Sequence, residues 1–63
     1  MIKISDFNWI NLNFIREIEL CSGESLQKFS FVFHSQDGSN RYTSKIFGSK
    51  DEAENWLNNN LHN

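Results

Sequence analysis

Three phenylalanines at every second position, Phe29, Phe31 and Phe33, constrain this chain more than any other feature in it. They alternate with Ser30, Val32 and His34, the two-residue period of a strand, so the three rings share one face of a sheet. Leaving such a face against water is unfavourable, and 63 residues offer few segments able to cover it. One segment has the spacing to do so: Ala53, Trp56, Leu57 and Leu61 recur at i, i+3, i+4 and i+8, an apolar stripe on a helix. Ser49-Lys50-Asp51-Glu52 precedes it in capping-box form, with Ser49 accepting the Glu52 amide and Glu52 reaching back to Ser49. Asp51, Glu52 and Glu54 add negative charge at the positive end of the helix dipole. The pattern predicts a helix over about 50–61, fraying through Asn58, Asn59 and Asn60 towards His62, with Trp56 and Leu57 laid on Phe29, Phe31 and Ile18.

Gln36-Asp37-Gly38-Ser39-Asn40 supplies turn chemistry after the phenylalanine strand, with Gly38 free to take a positive φ. If Asp37–Gly38 centres the turn, Phe33 faces Tyr42, Phe31 faces Ser44 and Phe29 faces Ile46, which adds Tyr42 and Ile46 to the apolar face. An earlier strand over about Ile15–Cys21 contributes Ile18 and Leu20, turns Glu17 and Glu19 outward, and connects through Ser22-Gly23-Glu24-Ser25. Further upstream the residues predict a strand near 7–10 and a bend near 11–14, where asparagine favours turns. Ile2 and Ile4 can begin an edge strand, and the pattern leaves open whether residues 1–14 make one strand or two. The fold class is therefore α+β: a three- to four-stranded antiparallel β-meander with one C-terminal amphipathic helix packed on one face, a single domain over 1–63.

Several function classes fall away on size and composition. A core this small cannot enclose a deep catalytic cleft, and its stability is marginal enough that a homodimer or a bound partner would help it. Cys21 is the only cysteine, so no intramolecular disulfide forms. No signal-peptide pattern follows Met1, and nowhere do eighteen apolar residues run together, so the expectation is a cytoplasmic protein with no membrane segment. The start at Met1 suggests a complete small reading frame. Nine asparagines, and four lysines to two arginines, suggest an AT-rich bacterial or phage genome.

The candidate functional surface is the second face of the sheet, assigned Glu17, Glu19, Cys21, Lys28, Ser30, Val32, His34, Arg41, Thr43, Lys45 and Phe47. The register expected above sets Glu17 and Glu19 across from Lys28 or Ser30, and His34 across from Arg41. Read blandly, this is a solvated face with cross-strand charge pairs worth about 0.2–1 kcal/mol each. Read functionally, Val32, Thr43 and Phe47 form an apolar strip rimmed by Arg41 and Lys45, the anatomy of a partner surface. Trp9 is either a core edge beside the helix or an exposed aromatic anchor. No catalytic constellation accompanies these residues: a Cys21–His34 pair on a flat sheet lacks a pocket and oxyanion donors. Cys21, His34 and His62 fit no metal-binding spacing, and three glycines form no phosphate loop, so no cofactor is implied.

The expectation is a non-enzymatic protein–protein interaction module, a small regulator, adaptor or inhibitor acting by surface contact on a protein the residues do not identify. Self-association through that face or an edge strand is a second route to a partner. The alternative is single-stranded nucleic-acid binding by Lys28, Arg41 and Lys45 with Phe47 as the stacking ring. Six Lys+Arg against eight Asp+Glu, a formal charge of -2, weigh against it. A redox-responsive thiol at Cys21 would require an exposed, low-pKa thiolate.

Overall fold

The computed structural model describes residues 1–23 and 28–61. In chain order they form β1 (Ile2–Ser5), β2 (Asn8–Ile10), a 3-10 turn (Leu12–Phe14), β3 (Ile15–Ser22), β4 (Phe29–Ser35), β5 (Arg41–Thr43) and α1 (Lys50–Leu61). The class is α+β, with a two-stranded sheet β1-β2, a three-stranded sheet β3-β4-β5, both antiparallel, and the helix at the C-terminal end. Residues 1–14 thus make two strands. Ile2 pairs with Ile10 and Lys3 with Trp9, so Ile2, Ile4 and Ile10 turn inward and are buried. The bend at 11–14 is built by asparagine as expected: the Asn11 side chain accepts the Asn13 amide at 3.0 Å, and the Phe14 N–H donates to the Asn11 carbonyl at 3.0 Å. The turn expected over 22–25 lies partly outside the described residues.

The central ladder follows the phenylalanine alternation. Ile18 pairs with Phe33 and Leu20 with Phe31, so apolar side chains stack on one face, while Glu17 and Glu19 point out. Between β4 and β5 the chain reverses through Ser35–Asn40. The Gly38 N–H bonds the Ser35 carbonyl at 3.0 Å, and Gly38 takes φ 76°, a left-handed conformation that costs glycine little. Asp37 pins the turn, accepting from the Ser39 hydroxyl at 2.7 Å, the Ser39 amide at 2.9 Å and the Ser35 hydroxyl at 2.8 Å. These donors, the Ser39 hydroxyl foremost, hold its carboxyl down to about 2. The resulting register sets Phe33 opposite Tyr42, as the turn position implies.

The expected register holds on to Ser44, which faces Phe31, and departs from simple alternation beyond it. Phe29 bridges to Phe47, not Ile46, with N–H···O bonds in both directions of 3.0 and 2.7 Å. Three residues on one strand therefore span the interval that two span on β4, which is a β-bulge. Ser44 closes it from within. Its amide donates to the Phe31 carbonyl at 2.9 Å, and its hydroxyl accepts the Phe31 N–H at 2.8 Å and donates to the Lys45 carbonyl at 2.9 Å. The freed Lys45 N–H turns away from β4 and bonds the Ile4 carbonyl at 2.7 Å, which ties β1 to the larger sheet.

Ser44 is consequently a buried polar residue with a structural task, being only 6% exposed. Ser44→Ala would leave the Phe31 N–H without its acceptor in an apolar interior. The expected loss is about 1–3 kcal/mol in urea-melt stability. An unchanged midpoint would show that the hydroxyl does not hold the bulge.

The bulge exchanges the places of two side chains. Phe47, assigned to the outer face on simple alternation, is buried at 2% exposure, and Ile46, assigned to the core, is 66% exposed. Tyr42 is also largely outside the core. The helix meets the relocated ring: Trp56 packs on Phe47 with centroids 5.2 Å apart and stacks on Phe31 at 5.9 Å and 22°. Ile2, Ile4, Ile10, Phe31, Phe33, Phe47 and Ala53 form the core, with Ile18, Phe29 and Leu57 packed around it. The Ser49 hydroxyl caps the helix by accepting the Glu52 amide at 3.1 Å, the forward half of the capping box.

Candidate interaction surface

The six residues singled out from sequence do not assemble into one patch. Val32 and Thr43 pair across β4 and β5, and Arg41 pairs with His34 one step on, as expected. Phe47 leaves this group for the core, so the apolar strip shrinks to the half-buried Val32 and the exposed Thr43. Lys45 is exposed at the bulge, its ammonium 5.5 Å from the Phe47 ring centroid. The two glutamates also sit elsewhere than expected: Glu17 pairs with His34 and Glu19 with Val32, while Cys21 is half-buried opposite Ser30. A turn over 22–25 sets them near Lys28, but the ladder continues to Ser22–Phe29 and the Gly23 N–H bonds the Lys28 carbonyl at 2.7 Å, which shifts the register by four residues.

Trp9 lies on the β1-β2 hairpin. Strand alternation turns Ile10 inward there and Trp9 outward, where it is 55% exposed. Lys3, its cross-strand partner, lays its ammonium 5.1 Å from the indole centroid, a cation–π arrangement. Phe7, in the tight turn between the strands, is 89% exposed, and Met1 and Phe14 are exposed as well. Most of the large apolar side chains that the described residues leave outside the core therefore fall within the first fourteen positions. Sequence reasoning singled out Trp9 but missed Lys3 and Phe7. The signal for Lys3 was present in the alternation of Ile2 and Ile4, an inward pair that leaves Lys3 on the opposite face.

A shallow hollow of about 220 Å³ is lined by Lys3, Ile4, Ser5, Asp6, Lys45 and Trp56, and a second of about 350 Å³ by Leu12, Ile15, Arg16, Glu17, Ile18 and Leu61. Both are open to solvent, and neither sets a nucleophile against a base. Among the described residues, no helix is long and apolar enough to cross a membrane. No family model, curated protein or solved structure matches the chain.

Proposed function

We propose that this chain is a non-enzymatic protein-binding module, a small regulator, adaptor or inhibitor, whose contact surface centres on Trp9 and Phe7. The observation that supports the reading is the exposure of both rings beside a core that is already closed without them. Neither ring is needed outside for folding, and burying either in an interface removes a large apolar area from water. Trp is also the residue most enriched among those that dominate binding energy. The Lys3 ammonium over the indole sets the character of the partner: a folded protein with an apolar socket edged by carboxylates.

The test is an affinity pull-down with the tagged chain from a lysate of its source organism, with and without nuclease, repeated with Trp9→Ala, Phe7→Ala and Val32→Asp. A nuclease-resistant, stoichiometric protein whose affinity drops at least tenfold with Trp9→Ala or Phe7→Ala, and not with Val32→Asp, is the expected result. Equal retention by both hairpin variants overturns the assignment. Retention that vanishes with nuclease would instead favour single-stranded nucleic acid, with Trp9 as a stacking ring beside Lys3 and Lys45.

A further inference from the structure

We propose that Glu17, Glu19 and His34 bind a divalent first-row transition metal ion, with Zn²⁺ as the reference case. The site is independent of the aromatic hairpin. Glu17 and Glu19 stand two apart on β3 and so share its outer face, and His34 on β4 lies directly opposite Glu17. One ligand atom from each of the three lies within 4.8 Å of the other two. A tetrahedral zinc ion with bonds of about 2.0–2.1 Å places its ligands about 3.3 Å from one another. One edge of that figure is already near this length, since His34 Nε2 is 3.1 Å from Glu19 Oε1. The remaining contraction falls to Glu17, an exposed side chain with three rotatable bonds.

The donors are more than a group of acids. An imidazole nitrogen comes from a second strand; its side chain is only 19% exposed, and its Nε2 is hydrogen-bonded to Glu19 Oε1, a contact that the metal ion would replace. Ladder pairing holds the two strands, so the backbone positions that carry the ligands are set before a cation arrives. Among the described residues no lysine or arginine forms an ion pair with either glutamate, although Arg41 lies opposite His34 on the far side. One nitrogen and two carboxylate oxygens suit zinc, cobalt or nickel and leave a fourth position for water, whereas magnesium and calcium prefer all-oxygen sets.

Isothermal titration with ZnCl2, read beside two-dimensional NMR of the histidine ring, tests this on the full chain. The expected result is saturable 1:1 binding with a shifted His34 ring. Affinity should fall at least tenfold in His34→Ala and in the double variant Glu17→Gln/Glu19→Gln, with circular dichroism showing both still folded. MgCl2 at the same concentration should leave the ring signals in place. Cys21→Ser and His62→Ala serve as controls, because a thiol or a terminal imidazole could capture zinc adventitiously, and both should bind as the parent does. Absence of saturable binding up to millimolar zinc, undiminished binding in the cluster variants, or loss of binding in either control overturns the proposal.

Discussion

Phe47→Asp is expected to unfold this domain, whereas Ile46→Asp leaves it folded. Simple strand alternation gives the opposite result, because it faces Ile46 to the core and Phe47 to solvent. The bulge at Ser44 reverses them, so the ring buried against Phe31 and Trp56 is Phe47. Truncating a buried Phe costs about 3–5 kcal/mol from lost transfer energy and the cavity left behind. A carboxylate at that place adds a desolvation cost, which the ammonium of the exposed Lys45, 5.5 Å from the Phe47 ring centroid, offsets only in part. Against this stands a total stability of about 3–9 kcal/mol for a chain of 63 residues at typical per-residue values. The sum exceeds the reserve. Far-UV and near-UV circular dichroism on the two variants decides it: a folded Phe47→Asp protein beside an unfolded Ile46→Asp one would mean the strand runs in the regular register.

Ile4→Ala carries the second large effect, about 2–5 kcal/mol for a buried Ile truncated to Ala. Its particular interest is that the damage should be global. Ile4 contributes a side chain at 2% exposure to the same core as Phe31 and Phe33, and its carbonyl receives the Lys45 N–H. Loosening β1 therefore loosens the bulge as well. Amide hydrogen exchange should show the lost protection spread to Phe31 and Phe33 on β4 and not confined to residues 1–10. Confinement to the hairpin would make β1-β2 a separately opening unit.

The helix was legible because Ser49 and the 53, 56, 57, 61 stripe are local signals that agree with each other. The β4-β5 hairpin was legible as far as Ser44 because Asp37–Gly38 fixes the register near the turn. Error entered just past Ser44, where a serine hydroxyl stands in for a main-chain acceptor. Serine alternates like any polar strand residue, so nothing in the pattern distinguishes a bulge from a continuing ladder. The same blindness hid the Glu17, Glu19 and His34 grouping: the glutamates are fifteen or more residues from the histidine, and only the pairing of β3 with β4 brings them together. On the hairpin, Trp9 stood out as a residue, but its exposure depended on β1 and β2 pairing at Ile2 and Ile10.

The outer edge of β3 has a colloidal consequence. Eight residues long and paired on one side only, it is the kind of edge on which strands of other copies stack into aggregates. Face-matched antiparallel pairing of two such edges has two registers of greatest overlap. Centred on Ile18, it sets Glu17 of one copy against Glu19 of the other; centred on Glu19, it sets that glutamate against its own counterpart. Either way carboxylate meets carboxylate across the seam, which is destabilising for directly opposed like charges. The exposed glutamates thus disfavour edge-to-edge stacking of copies through β3 in both registers.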